Sequence, residues 1–349
     1  MTDKLILNEL GARGIHAYGS DALQRFEQQL SIYFKREYKR WSGNTSRPED
    51  HGKSSFDGEI ASHTEGHESV EHYNRELALY QAFLDQRYMA YTMAYYGATD
   101  DDPSIDHSIE LEQAQTNKYA LMVDRLQIED GHTVLDLGCG FGGFIRYLLD
   151  RFPGIRVIGI NPSEVQSDYI TQNIDHGGRL KLITRYIDQL DADTIKPESV
   201  DRVVSIGVLE HITNIQALSA IIATLLKPGG LCLHHIIVSR DTIPQFLNAE
   251  DTMMSDYFPG GHIWPYSELM RHDRHLQPLQ SWFINGMNYW KTLDEWHRRF
   301  WQSIDRLYPA VLSIEQVDYW NRYFSLCKAM FIPDEGRAYG NAHYLFGKG

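Results

Sequence analysis

From Thr133 onward, short apolar runs alternate with amphipathic helical stretches, and this alternation constrains the fold more than anything else in the chain. Strands are expected over Thr133–Leu137, Arg156–Ile160, Leu180–Ile183, Arg202–Ile206 and Leu231–Val238, with helices around residues 143–151, 163–174 and 214–226. A strand that returns through a helix runs parallel to its predecessor, since the crossover brings the chain back to the same end of the sheet. The expected core is therefore α/β, a Rossmann-like doubly wound sheet. The alternation breaks between about residues 240 and 275, read as an inserted helical segment over the ligand edge. It resumes in Leu279–Ile284 and Ala342–Phe346. Between these, Leu293, Trp296, Phe300, Ile304 and Leu307 recur at three- and four-residue steps, the stripe of a core-facing helix.

Upstream of the alternation the composition changes twice. Residues 1–68 begin with a helix-like stretch, ALQRFEQQLSIYFKREY, and turn polar through SGNTSRPEDHGKSSFDGE, so a helical extension and a loop are expected. Residues 69–128 are crowded with tyrosines, including Tyr80, Tyr88, Tyr91, Tyr95 and Tyr96, and read as a helical lid. Residues 129–349 form the expected core. Whether the N-terminal extension builds a homodimer contact or the mouth of a substrate site is open at the level of sequence.

The chain has 349 residues, enough for two units or one large core with an elaborated lid. Its 33 Lys+Arg against 47 Asp+Glu leave a net charge of −14, which argues against wholesale nucleic-acid binding. No stretch reaches the roughly 18 apolar residues of a membrane helix. The start, MTDKLILNELG, lacks a basic then apolar leader, and Cys139, Cys232 and Cys327 are the only cysteines. A cytoplasmic chain with reduced thiols is the expectation. Histidines 63, 67 and 72 lie among Glu65, Glu68 and Glu71, but their spacing matches no standard zinc pattern, so no metal is expected.

The run Val134 to Gly143 leads from the first strand straight into a helix, with Gly138, Gly140 and Gly143 in G-x-G-x-x-G spacing. Glycines there let backbone N–H groups approach a nucleotide-like ligand closely. Asp136, two residues before the first glycine, would repel a pyrophosphate but answer the ammonium group of S-adenosylmethionine. The second strand ends Gly159-Ile160-Asn161-Pro162-Ser163, with no acidic residue for a ribose 2′-hydroxyl, which further weakens a dinucleotide reading. Cys139 has no evident base beside it and reads as packing.

With these residues in place, the chain resembles the class I S-adenosylmethionine-dependent methyltransferases, and more closely their cyclopropane fatty acid and mycolic acid synthase branch. The likeness runs in order through Val70-Glu71-His72-Tyr73-Asn74, Phe83-Leu84-Asp85, Tyr91-Thr92-Met93-Ala94-Tyr95-Tyr96 and Leu111-Glu112-Gln113-Ala114-Gln115. It continues through the glycine loop, Gly159 to Gln166, Glu210-His211, Leu233-His234-His235-Ile236, Phe258-Pro259-Gly260-Gly261, and Asn288-Tyr289 with Thr292-Leu293 and Trp296. An ordered set of this kind is far more specific than one motif. It leaves residues 1–65 uncovered.

The resemblance implies cofactor contacts from Tyr91, Gly138, Gly140, Asn161 and Gln166, together with Asp136 and with Ser205 on the fourth strand, and an adenine end near Tyr186, Ile187 and Asp188. Asn161 stands where the family usually has threonine, and Tyr186 where it often has tryptophan. The family's base is a bicarbonate ion, and the positions that match its grip are Glu210, His234 and Tyr323, with main-chain contacts at Ile236 and Met93. Met93 replaces the family's cysteine. By itself, His234 on an apolar strand face would read as a satisfied core histidine, and His235 points to the other face.

The expected chemistry is transfer of a methyl or methylene group to a C=C bond of a lipid-like substrate through a carbocation, which aromatic faces stabilise and a base discharges. An unsaturated acyl phospholipid, collected in transient contact with a membrane surface, is the acceptor that the resemblance implies. The negative charge argues mildly against docking on anionic lipid, which keeps a soluble isoprenoid open as the substrate of a C-methyltransferase. N-methylation of a small amine, and a non-catalytic cofactor- or lipid-binding role, complete the alternatives.

Overall fold

Two helices open the chain: α1 (Asp3–Ala12), and α2 (Asp21–Trp41), which starts where the Ser20 side chain accepts the Leu23 N–H. In the computed structural model the described residues are 3–42, 77–174, 177–190, 194–241, 245–246 and 261–349. The sequence motifs Val70 to Asn74 and Phe258 to Gly260, and the histidines between 63 and 72, lie outside them. Leu23, Leu30 and Phe34 of α2 recur at helical spacing and are buried.

Among the described residues, the aromatic stretch that follows contains one short helix, α3 (Leu77–Phe83), before an irregular path to α4 (Leu111–Arg125). Side chains stand in for the missing backbone pairing along that path. The Asp85 carboxylate accepts the N–H groups of Tyr88 at 2.6 Å and Ala90 at 2.8 Å. Further on, Thr292 accepts the Ala94 N–H and Asn288 the Tyr96 N–H, tying the segment to a helix two hundred residues away in sequence.

The core then alternates as expected: β1 (Thr133–Leu137), α5 (Gly143–Arg151), β2 (Arg156–Ile160), α6 (Glu164–Asn173), β3 (Leu180–Ile183), β4 (Val200–Ile206), α7 (Ile215–Leu225) and β5 (Leu226–Ser239). Strands β3, β2, β1, β4 and β5 lie side by side, each pair parallel. Antiparallel β9 (Tyr339–Gly347) pairs with β5, and β8 (Gln277–Asn285) pairs with β9.

The insertion before β8 was expected to be helical. Its described residues instead form two short strands, β6 (Gln245–Phe246) and β7 (His262–Pro265), and a 3-10 turn at Leu269–Arg271. Strand β5 outruns β4 at its C-terminal end, and β7 takes over that vacated edge through Val238 and Ser239. Backbone groups of the described residues there find partners in strand pairing.

Helix α8 (Met287–Gln302) carries the predicted stripe, stops at Ser303, and is followed by the single-turn α9 (Ile304–Leu307). Helix α10 (Ile314–Met330) begins in a capping box between Ser313 and Gln316. Leu293, Trp296 and Phe300 of α8 and Trp320 and Phe324 of α10 are fully buried, each worth roughly 1.5–3 kcal/mol of burial free energy. Together with α2 and α3 they make a helical layer over the C-terminal strand ends. No described helix is long and apolar enough to cross a membrane.

Candidate active site

The loop from β1 to α5 is wound through three left-handed glycines. Gly138 has φ +70°, and a Cβ there would come within 2.5 Å of the Val208 side chain. At Gly140, with φ +54°, no atom of the described residues would lie within 4 Å of an added Cβ. The Asn161 side-chain amide, at the end of β2, donates to the Gly140 carbonyl and to Gln166, both at 2.9 Å, and its oxygen accepts the Ser163 N–H. Asp136 is buried on β1, and burial alone pushes its carboxyl up to about 7. Tyr186 and Asp188 follow the C-terminal end of β3 in a 3-10 turn, Tyr186 half-buried and Asp188 exposed. The glycine loop, Asn161, Gln166 and the turn at Tyr186 thus gather at the C-terminal edge of β1, β2 and β3, where such sheets bind nucleotide-like ligands. A glycine loop that leaves room beside Gly140 among the described residues, and a buried carboxylate on the strand that leads into it, suit S-adenosylmethionine.

Val208, which packs on Gly138, is two residues from Glu210, and Glu210 lines a second recess. This cavity has a volume of about 60 Å³ and is walled by Ile237, Ile263, Leu293, Met330, Phe331, Tyr289 and Tyr323. Glu210 and His262 are polar exceptions in that wall. One Glu210 oxygen accepts the Ile237 N–H at 2.9 Å. The other is buried without a hydrogen-bond partner among the described residues. Burial raises the Glu210 carboxyl to about 7, partly opposed by the Ile237 N–H. Two side chains of β7 grip the turn that carries Glu210. The His262 Nδ1–H donates to the Glu210 carbonyl at 3.0 Å and the Trp264 indole N–H to the Leu209 carbonyl at 3.2 Å. Burial and neighbouring His262 push His211 of the same turn down to about 4.

Tyr91 connects the two recesses. Its hydroxyl donates to that of Tyr323 at 3.0 Å, and its ring packs on Trp296 and on Tyr80, which in turn meets Phe141 of the glycine loop. Burial, with Tyr91 as neighbour, drives the Tyr323 hydroxyl far above its usual range.

The structure brings Glu210 and Tyr323 together and places His234 elsewhere. Both nitrogens of the His234 ring are engaged inside the sheet, Nδ1 with the Ser205 hydroxyl at 2.7 Å and Nε2 with the Cys232 sulfur at 3.4 Å. Ile236 shares that strand face and is buried in the core below α7. It is Ile237, on the opposite face, whose N–H reaches Glu210 and whose side chain reaches the cavity. Ser205 thus faces His234 rather than the glycine loop. Met93 is fully buried but does not line the cavity, while adjacent Thr92 packs toward Gly207 at the end of β4.

Nor does His235 replace His234. Its Nδ1 meets His343 at 2.9 Å and its Nε2 meets Asn341 at 3.1 Å, while His343 is held by Arg125 at 2.8 Å. Arginine only donates, so His343 Nδ1 accepts and its Nε2–H donates to His235 Nδ1. The His235 Nε2–H then calls for an acceptor, which the Asn341 side-chain oxygen becomes when its amide is turned over. With His234, His235 and the Ile237 N–H all committed, the set expected to hold bicarbonate does not assemble. His262 and Ile237 were missed in the sequence, and no periodic pattern marks His262.

A model of the mycolic acid cyclopropane synthetase family matches residues 61–337. The chain belongs to that family. It is an S-adenosylmethionine-dependent methyltransferase, and its relatives divide by acceptor. It is 29% identical over 232 residues to the cyclopropane-fatty-acyl-phospholipid synthase of Escherichia coli, covering 66% of this chain and 55% of the relative. It is 26% identical over 261 residues to a probable (S)-tetrahydroprotoberberine N-methyltransferase from Papaver bracteatum, covering 69% and 70%. Among solved structures, coclaurine N-methyltransferase bound to N-methylheliamine and SAH superposes with a TM-score of 0.77 at 21% identity, over 93% of this chain and 99% of that one. The Mycobacterium tuberculosis cyclopropane synthase MmaA2 follows at 0.68 and 21%, over 83% and 100%. At such identities the superpositions speak for the fold.

Proposed function

We propose that the protein transfers a methyl or methylene group from S-adenosylmethionine to the C=C bond of an apolar, lipid-like acceptor. The observation that carries this reading is the cavity itself, apolar on most of its wall and faced by two tyrosines. An acceptor of low polarity loses little by leaving water for such walls, and the helical layer keeps water from a cationic intermediate. The tyrosine rings stabilise the positive charge that builds on the acceptor. S-adenosylmethionine, when bound, supplies a methyl group already activated as an electrophile. Asp136, Gly138, Gly140, Asn161 and Gln166 would hold it, with Tyr186 and Asp188 toward its adenine end. A phospholipid acceptor requires transient contact with a membrane surface, and a free isoprenoid does not.

A second reading, N-methylation of an aromatic amine, is favoured by one observation, the unpartnered Glu210 oxygen in an aromatic cavity, and by the plant relatives. The test is mass spectrometry of lipids from cells expressing the protein and fed methyl-labelled methionine, against Asp136→Ala, with purified protein assayed in parallel on an aromatic secondary amine. A labelled methylene on unsaturated chains is the expected result. Labelling of the amine alone would sink the alkene reading, and cofactor binding without any labelled product would point to a non-catalytic role.

A further inference from the structure

Helix α4 places an ammonium group behind the irregular strap that runs from Tyr88 to Thr92. Lys118 is 1% exposed, and its Nζ makes one hydrogen bond among the described residues, at 2.8 Å to the Thr92 hydroxyl oxygen. One turn earlier on the same face, Gln115 donates to the Thr92 carbonyl at 3.0 Å, and Asp85 accepts the N–H groups of Tyr88 and Ala90. The strap is thus tied from behind along its length, and it closes on the elements that carry the glycine loop. A Cβ added to Gly143, the first residue of α5, would lie 2.6 Å from the Tyr88 carbonyl oxygen, and one added to Gly207 would lie 3.1 Å from the Thr92 methyl group. Gly207 directly precedes Val208, which packs on Gly138.

We propose that Lys118 is a positioning residue for S-adenosylmethionine that acts through the Thr92 hydroxyl. This rests on the placement of the cofactor at the glycine loop given above, and not on which acceptor is methylated. An ammonium only donates, so the Thr92 oxygen accepts from Lys118 and its own O–H is directed elsewhere. No described residue accepts that O–H, and Thr92 is half-buried, so the hydrogen is left for an acceptor atom of the ligand. S-adenosylmethionine carries such acceptors in its carboxylate and ribose oxygens. Burial pushes the Lys118 ammonium down to about 7, and the Asp85 carboxylate works against that push. A cation kept in so dry a place is unfavourable where an apolar side chain would pack as well, and its one hydrogen bond goes to a hydroxyl on the strap.

The test measures S-adenosylmethionine binding by calorimetry, with thermal unfolding followed in parallel, for the full-length parent, Lys118→Met, Thr92→Val, their double variant and Thr92→Ser. Methionine fills much of the lysine's space without a charge, and Asp85 keeps both N–H partners, so Lys118→Met should melt close to the parent. Its Kd should nevertheless rise about tenfold, and so should that of Thr92→Val. The double variant should bind no more weakly than either single one, since both remove the same contact. Thr92→Ser, which returns the hydroxyl, should recover most of the loss seen in Thr92→Val. A Kd within about twofold of the parent in Lys118→Met, or losses that add in the double variant, would overturn the assignment. Should Lys118→Met fail to fold, equal affinities of Thr92→Val and Thr92→Ser would overturn it, and a loss confined to Thr92→Val would support it. Gly140→Ala separates this inference from the placement beneath it. Weak binding by Gly140→Ala beside intact binding by Lys118→Met defeats the inference alone, whereas intact binding by both removes the cofactor from the glycine loop.

Discussion

The Ile237 N–H occupies one oxygen of Glu210 at 2.9 Å, and the other oxygen is left buried and unbonded. That imbalance is unfavourable to the free protein when the carboxylate is ionised, and it marks where an acceptor is to make contact. Glu210→Gln should keep cofactor affinity within about twofold and lose at least roughly 10² in turnover. Equal turnover would remove Glu210 from the chemistry.

The same residue predicts a pH dependence of stability. The Glu210 carboxyl titrates near 4.5 in the unfolded chain and at about 7 in the fold, so between those values the folded state holds more protons. Stability therefore falls as pH rises across that window, by up to about 3 kcal/mol from this group. Between pH 5 and 8, denaturant unfolding should show a smaller loss for Glu210→Gln than for the parent. Parallel losses would mean that burial is not what raises this carboxyl.

Asp136 leads to a calorimetric expectation. Burial holds its carboxyl near 7, and an ammonium group arriving beside it would favour the ionised form. S-adenosylmethionine binding at pH 6.5 should release up to about one proton, read as a difference in binding heat between buffers of different ionisation enthalpy. Identical heats would place the ammonium elsewhere.

Gly138 and Gly140 separate stability from binding. Gly138→Ala drives a methyl group into Val208 and should destabilise the fold as well as the site. Gly140→Ala meets no atom of the described residues, so it should cost only about 1 kcal/mol of backbone strain while weakening cofactor binding strongly. Intact affinity in Gly140→Ala would show that the cofactor does not pass over that glycine.

Lys328 tests how the N-terminal helices are held. Its buried ammonium lies 2.7 Å from Glu27 of α2 and 3.2 Å from Asp294 of α8. Glu27→Gln leaves a balanced pair behind, whereas Lys328→Met leaves two carboxylates facing each other without a cation. The lysine variant should lose about 3–5 kcal/mol and the glutamate variant clearly less. Matching melting temperatures for the two would count against a working ion triad.

Strands β1, β2 and β3 were legible residue by residue, because a short apolar run between turn residues has few other ways to bury itself. The cofactor loop followed, since its chemistry resides in consecutive backbone. The cavity was harder. Alternation along β5 shows that His234 and His235 face opposite sides, but not which side carries the cavity, nor that the next residue's N–H would go to Glu210. That depends on β9 and β7 arriving from a hundred residues and from a few turns away. His262 sits on a four-residue strand in an insertion, too short for any period to show.

The packing of α2 against α10 also sets an order of events during synthesis. Ser325 bonds Glu27 across 298 positions of sequence. At about 5 to 20 residues per second, α2 leaves the ribosome roughly 15 to 60 seconds before its partner exists. Through that interval Leu30 and Phe34 have no α10 to cover them, so the first helices made are among the last to find their place.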